Sequence, residues 1–106
     1  MEIVFSNARA QKFFENIDKH IRPRVVRGLE LLERYGNALG MPHSKALGGG
    51  LFELRIIGIT HIRFVYAFSR NRIFILHIFH KKTVRIAQHD IAYARAQFKA
   101  WRRGIA

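Results

Sequence analysis

The spacing of the hydrophobic residues changes near residue 50 and divides the chain into a helical part and a β-rich part. Before that point, apolar residues recur at intervals of three and four, the period of helices with one buried face. They are Phe13, Phe14, Ile17 and Ile21 in a first helix, and Val25, Val26, Leu29 and Leu32 in a second. Ser6 or Asn7 can cap the first helix, and Pro23 fits the first turn of the second. Because the link between them is short, we expect an antiparallel helical hairpin.

Strands are expected on both sides of this hairpin. Glu2 to Phe5 is short, apolar and partly β-branched, and it predicts an N-terminal strand. The glycine-rich stretch from Gly36 to Gly50 predicts a loop. Beyond it, three segments predict a meander of three strands, joined by turns at Gly58–Thr60 and Ser69–Asn71. The segments are Leu51 to Ile57, His61 to Phe68 and Arg72 to His80.

A last helix is predicted to begin near Gln88, because Ile91, Ala94, Phe98 and Trp101 follow at helical spacing. The order β-α-α-β-β-β-α predicts an α+β fold. In it, the N-terminal strand and the helical hairpin pack on a small antiparallel β-sheet that is followed by a C-terminal helix. A length of 106 residues suits one domain, spanning residues 1–106.

Charge distribution adds the first functional signal. The net charge is +12, and it is uneven along the chain. Residues 1–53 hold eight basic and six acidic side chains, whereas residues 54–106 hold eleven basic side chains and only Asp90 against them. Thirteen of the nineteen basic residues are arginine, which binds phosphate through a bidentate fork. The β-rich half therefore favours a polyanion such as RNA, although an acidic protein partner would also fit.

Several classes of protein are disfavoured. Cysteine is absent, so disulfides and thiolate metal sites are excluded. The N-terminus shows no signal-peptide pattern, and no apolar run approaches the roughly 20 residues of a membrane helix. We expect a cytoplasmic protein with no contact to a membrane.

Two arginines are candidates for a phosphate site. If Gly58–Thr60 is a three-residue turn, Arg55 lies directly opposite Arg63 in neighbouring strands. Like charges in that position destabilise a sheet, which suggests a functional use. A two-residue turn would shift the register and separate the two guanidinium groups, so both readings remain open.

A second candidate cluster lies at the end of the most apolar strand and comprises His77, His80, Lys81 and Lys82. Alternation places His77 on one face with Ile75 and Phe79, and His80 on the other with Leu76 and Ile78. A histidine inside an apolar strand is more often a hydrogen-bonded core residue than a catalyst, which is the simpler reading for His77. His80 and the two lysines lie where side chains reach solvent.

Catalysis with a metal or cofactor is not indicated. The six histidines are scattered, and the β-rich half has one carboxylate after residue 53. RNA cleavage needs no metal, because the 2′-hydroxyl is an internal nucleophile beside its phosphorus. Arginine and lysine can stabilise the phosphorane, and histidine or a lysine of lowered pKa can transfer protons. We expect no cofactor and no metal.

The motifs of the β-rich half resemble a known family. Their sequences are Lys45-Ala-Leu-Gly-Gly-Gly-Leu-Phe-Glu-Leu-Arg55, Arg63-Phe-Val-Tyr66 and Leu76-His-Ile-Phe-His-Lys-Lys-Thr83. They are similar to the signature of RelE/ParE-superfamily toxins, in the HigB-like branch described as phage-derived. The resemblance covers about residues 45–95.

This resemblance implies the toxin of a type II toxin–antitoxin pair, inhibited by a cognate antitoxin that often carries a helix-turn-helix. Such toxins usually cleave mRNA in the ribosomal decoding site, so the implied partners are the ribosome and mRNA. By the family pattern, Arg63 and Arg55 act on the scissile phosphate, and Lys81 or Lys82 supplies the basic position after the fourth strand. Glu53 replaces a lysine of RelE, and no tyrosine follows the fourth strand.

We therefore predict a metal-independent mRNA endonuclease. The predicted catalytic residues are Arg55, Arg63, His80, Lys81 and Lys82, and the predicted RNA contacts are Lys45, His61, His77 and Arg85. Since the family pattern does not fix the proton-transfer group, His80 or His61 can take that role. Two alternatives stay open: a ParE-like inhibitor of DNA gyrase, and a non-catalytic RNA-binding module.

Overall fold

A computed structural model describes residues 1–104, which form five strands and three α-helices. In chain order these elements are β1 (Glu2–Phe5), α1 (Ala8–Glu15), α2 (Arg22–Tyr35), β2 (Ser44–Gly48), β3 (Leu51–Ile56), β4 (Ile59–Ser69), β5 (Arg72–His80) and α3 (Gln88–Gly104). The predicted α+β class is confirmed, with the hairpin α1–α2, the meander β3–β5 and the last helix in the expected order. The last two residues of the predicted domain, 105 and 106, lie outside the described residues.

The sheet has the strand order β1-β5-β4-β3-β2 and differs from the prediction in two ways. β1 pairs with β5 in parallel, so the sheet is mixed rather than wholly antiparallel. The stretch predicted as a loop contains β2, an edge strand antiparallel to β3. Gly49 and Gly50 link these strands, and both of them and Gly48, the last residue of β2, have positive φ, a conformation that glycine adopts without a steric penalty.

One face of the sheet packs against the helical hairpin. Asn7 caps α1, since its Oδ1 accepts a hydrogen bond of 2.8 Å from the backbone N–H of Ala10. Pro23 lies in the first turn of α2, as predicted. The sheet supplies Leu54, Ile56, Ile62, Phe64, Tyr66, Ile73, Ile75 and Ile78 to this core, and the helices supply Ala10, Val25, Leu29 and Leu32.

The opposite face is covered in part by α3. Val65, Ala67 and Phe74 lie against Ala94, and Phe98 and Trp101 pack at the edge of this smaller core. Strict alternation along β4 thus separates the two cores, as the period of two predicted. Beyond the start of α3, at the end of the sheet where β5 terminates, the same face carries charged residues instead of apolar ones.

Two turns are shorter than predicted, because their flanking residues remain paired. Arg70 and Asn71, with φ of 52° and 63°, form a two-residue turn between Ser69 and Arg72. This matches the primed turns that suit the twist of a hairpin. The β3–β4 turn consists of residues 57 and 58, since Ile56 pairs with Ile59.

A register shift in β5 changes one predicted face. Val65 pairs with His77 but the next residue, Tyr66, pairs with Ile75, so Leu76 is an extra residue in the ladder. Because of it, Ile75 faces the helical hairpin with Ile78, while His77 and Phe79 face α3. The predicted grouping of His77 with Ile75, and of His80 with Leu76, is therefore wrong.

Candidate functional site

Arg55 and Arg63 lie directly opposite each other on the α3 face of the sheet. The turn between their strands has two residues, yet a register shift between Arg55 and Ile56 restores the pairing that a three-residue turn would have given. The strand irregularity thus produces the like-charge pair.

The carboxylate of Glu53 offsets the repulsion between Arg55 and Arg63. Its side chain is 2% exposed, and Oε1 accepts a hydrogen bond of 3.3 Å from Nε of Arg55. Its other oxygen, Oε2, lies 3.8 Å from Nε of Arg63, and both of these atoms are buried without a hydrogen-bond partner. A buried charge is stable in a protein only when it is paired, so one carboxylate holds both guanidinium groups at the site.

Lys81 completes the basic cluster from the end of β5. Its backbone N–H donates a hydrogen bond of 2.7 Å to the carbonyl of His61, which continues the β4–β5 ladder by one residue. Burial lowers the pKa of the Lys81 ammonium, and the positive charges of Arg63, Arg55 and Lys45 lower it further, against the opposing effect of Glu53. Lys81 is therefore easier to deprotonate than a solvated lysine.

These residues border a cavity of about 390 Å³ between the sheet, the loop 81–87 and the start of α3. We call it the cation pocket. Its charged lining residues are Lys45, Glu53, Arg55, Lys81 and Arg85, and its apolar lining includes Leu47, Val84, Ile86 and Ile91. Arg63 is not among the lining residues; it lies next to the pocket through its contact with Glu53, and its side chain is 13% exposed. The lysine of β2 reaches this pocket because Lys45 pairs with Glu53 in the sheet.

The predicted site residues thus fall into two groups. Five of them, Lys45, Arg55, Arg63, Lys81 and Arg85, lie in or beside the cation pocket. The other four, His61, His77, His80 and Lys82, do not line that pocket. His61 and His80 stack on each other on the hairpin side of the sheet, and Lys82 borders a separate depression at the end of β5.

His77 has a structural partner that the sequence did not reveal. Its ring is buried, and Nε2 lies 2.7 Å from Oδ1 of Asp90 in the first turn of α3. The ring also contacts Phe79 and Tyr93. Burial lowers the pKa of His77, although Asp90 opposes this effect. The pair fastens α3 to β5, so the buried position disfavours the predicted RNA contact of His77.

Two acidic residues that pair with predicted site residues were not identified from the sequence. From the sequence, Glu53 was noted only as a departure from the family pattern. In the structure it forms ion pairs with both Arg55 and Arg63. Asp90 was noted only as the one acidic residue after residue 53. Because a loop separates it from His77, the sequence spacing did not predict that the two side chains pair. No group of three or more His, Asp or Glu within residues 1–104 is arranged to hold a metal ion. None of the described helices is long and apolar enough to cross a membrane.

Solved structures of similar fold carry toxin names. The YoeB/ParE toxin from Agrobacterium tumefaciens matches with a TM-score of 0.61 and 18% identity, over 77% of this chain and 100% of its own. YoeB in the heterotetrameric YoeB–YefM toxin–antitoxin complex from Staphylococcus aureus matches with a TM-score of 0.59 and 24% identity, over 77% and 98% of the respective chains. At these identities the likeness establishes the fold.

The sequence itself supplies the family. No curated protein is significantly similar to the chain. However, the model of a family described as phage-derived protein, Gp49-like, matches residues 12–99, which is most of the chain. The predicted resemblance to the phage-derived branch of the superfamily is therefore confirmed. The protein belongs to the phage-derived Gp49-like family and has the fold of RelE/ParE-superfamily toxins.

Proposed function

We propose that the protein is the toxin of a type II toxin–antitoxin pair and inhibits translation by cleaving mRNA on the ribosome. The carrying observation is the cation pocket, which four basic side chains line with a single carboxylate, Glu53, that also contacts Arg63 at 3.8 Å. Such an excess of positive charge in a concave site fits a phosphodiester. Membership of the Gp49-like family and the toxin names of the structural neighbours support the same proposal.

The chemistry proceeds without a cofactor in this proposal. The 2′-oxygen of the RNA forms a bond to phosphorus as the bond from phosphorus to the 5′-oxygen breaks, which leaves a 2′,3′-cyclic phosphate and a 5′-hydroxyl. Arg55 and Arg63 stabilise the negative charge that develops on the phosphorane oxygens. Glu53 holds the two guanidinium groups in place and acts as a positioning residue.

Lys81 is the proposed proton-transfer group. Its neutral amine accepts the proton of the 2′-hydroxyl, and the departing 5′-oxygen takes a proton from water. A pKa lowered by burial and by neighbouring cations increases the neutral fraction near physiological pH. His80 was predicted for this role, but it faces the hairpin side of the sheet, opposite to Arg55 and Arg63.

The proposed partner in the cell is an acidic antitoxin. YefM accompanies YoeB in the heterotetrameric complex from Staphylococcus aureus. A net charge of +12 would attract an antitoxin segment with the opposite charge. A small helix-turn-helix gene beside the gene of this protein would support that pairing.

The proposal is tested by inducing expression and mapping the 5′ ends of ribosome-bound mRNA. Wild-type protein is expected to stop growth and to create new 5′-hydroxyl ends, whereas Lys81→Met and Arg63→Ala proteins remain folded and produce none. Lys99→Ala, which removes an exposed cation of α3, serves as the control and retains full activity. Arrested growth with intact mRNA and damaged DNA would instead establish the gyrase-inhibitor alternative. RNA binding without toxicity would establish the non-catalytic module.

A further inference from the structure

A larger groove lies on the other side of the sheet from the cation pocket, and the phosphate chemistry leaves it unused. Its volume is about 580 Å³, within the range of roughly 300–1,000 Å³ that is usual for ligand sites. It runs between α1, the α1–α2 link and the adjacent ends of β4 and β5. We call it the histidine groove, after His61 and His80, which form one wall.

The two histidine rings present flat, accessible surfaces. They come from neighbouring strands, their planes are parallel within 1°, and their centroids are 5.9 Å apart. Phe13 of α1 packs beside His80 at a centroid distance of 5.1 Å. Both histidines are exposed, so neither ring is buried in the core and both can contact a ligand. Exposed aromatic rings are the surfaces on which unpaired nucleobases stack.

The groove also has positively charged side chains, which the phosphate of a nucleotide would require. Arg9 and Lys12 of α1 line it, together with one carboxylate, Asp18, and with Asn16. The floor is apolar and contains Ile17, Ile21 and Ile62. A planar apolar ring attached to a negatively charged backbone would satisfy both features at once.

A third depression, of about 560 Å³ at the end of β5, has lining residues in common with both sites. It shares Arg9, Phe13 and His80 with the groove, and it shares Lys81 with the cation pocket. Because neighbouring residues of a strand face opposite sides, His80 and Lys81 connect the two sites around the end of β5.

We propose that the histidine groove binds a nucleobase of the RNA strand whose scissile phosphate occupies the cation pocket. The base stacks on His80 and His61, and Arg9 and Lys12 contact the adjoining phosphate. This inference rests on the proposed function and assigns a specificity-determining role to residues outside the cleavage chemistry. It gives His80 a stacking function in place of the proton transfer predicted from the sequence.

The test measures binding of a fluorescent single-stranded hexanucleotide RNA, 2′-O-methylated so that it is not cleaved. Loss of one stacked base weakens binding about 5- to 150-fold. We expect His80→Ala to show a loss in this range and His80→Phe, which keeps an aromatic ring, to bind like the wild type. Lys99→Ala is the matched control, since Lys99 is exposed on α3 and lines neither site.

Abasic substitutions along the same RNA identify the base. At the position that occupies the groove, removal of the base weakens wild-type binding but leaves the His80→Ala protein unaffected. Equal effects on both proteins at every position would overturn the inference.

Cleavage on ribosomes, measured in parallel, separates this inference from the proposed function. If His80→Phe abolishes cleavage while binding is retained, His80 transfers protons and the stacking role is wrong. If His80→Ala weakens capture of the antitoxin but not of RNA, the groove docks a protein and the inference fails. If binding depends on the base and on His80 but the wild-type protein cleaves no RNA, the base-binding groove is supported and the proposed nuclease function is rejected.

Discussion

Replacing Glu53 by glutamine removes the negative charge between Arg55 and Arg63 and keeps the size of the side chain. The carboxylate is 2% exposed, and its oxygens lie 3.3 Å and 3.8 Å from the two guanidinium Nε atoms. At an effective dielectric constant of about 20, each attraction is of the order of 4 kcal/mol before desolvation is subtracted. Removing one partner of a buried pair costs about 3–5 kcal/mol, because the remaining charge stays buried.

The lower end of that range applies here, because the Arg55 side chain is 26% exposed and water can solvate it. Arg63, at 13%, has less access to solvent and remains opposite another cation. We therefore expect Glu53→Gln to reduce the free energy of unfolding by about 3 kcal/mol. For a domain of this size, that loss lowers the melting temperature by at least about 10 °C.

Urea unfolding followed by circular dichroism measures this loss, with Glu30→Gln, an exposed position of α2, as the control. The double variant Glu53→Gln, Arg63→Gln should regain about 1–3 kcal/mol relative to the sum of its single variants, because the two most buried charges of the cluster are removed together and the remaining one, Arg55, reaches solvent. A Glu53→Gln protein as stable as the control would refute the pairing argument.

Three further outcomes are expected. The cleavage rate in single turnover should rise with pH and level off above a pKa lower than that of a solvated lysine, since the neutral amine of Lys81 is the active form. Lys45→Gln removes a positive charge that lowers the pKa of Lys81, so it should shift this profile to higher pH. An unshifted profile would exclude Lys81 as the base. Burial lowers the pKa of His77 in the folded state, so the folded state binds protons less readily than the unfolded state. Stability is then full above the unfolded pKa of about 6.5 and declines as the pH falls below it, and His77→Gln, unlike the exposed control His20→Gln, should flatten that decline in urea titrations at pH 8 and pH 5. Gly49→Ala should reduce the free energy of unfolding by about 1–2 kcal/mol, because φ is +62° and the new Cβ would meet the Arg95 guanidinium. Gly40→Ala, with open space around the new Cβ, should reduce it by less than half of that amount in the same urea assay.

The hydrophobic pattern predicted the layers of the fold because burial alone decides them. Phe64 and Tyr66 face the helical hairpin while Val65 and Ala67 face α3, which is the separation that a period of two requires. Strand β2 was missed for the opposite reason. It has five residues in a stretch dominated by glycine, and main-chain pairing with β3 holds it in the sheet.

Register shifts account for the errors in predicting the site. An extra residue in a strand changes the face of every residue beyond it, and composition does not reveal where the shift occurs. Near Leu76 such a shift moved Ile75 to the hairpin side. Between Arg55 and Ile56 another shift had the opposite effect, since it compensated for a shorter turn and kept Arg55 opposite Arg63. The prediction that Arg55 lies opposite Arg63 was therefore right, although the predicted length of the turn was wrong.

The distribution of chemistry between the two faces follows from the same periodicity. Arg63, Phe79 and Lys81 share a face because Arg63 pairs with Phe79 and Lys81 lies two residues further along. His80 must then face away from them. A cluster that is continuous in sequence, His80-Lys81-Lys82, is thereby divided between a site for phosphate and a groove suited to a base. Because the strand ends at this point, the proposed function requires one RNA chain to reach both sites, and cleavage and base selection would then depend on different, adjacent residues.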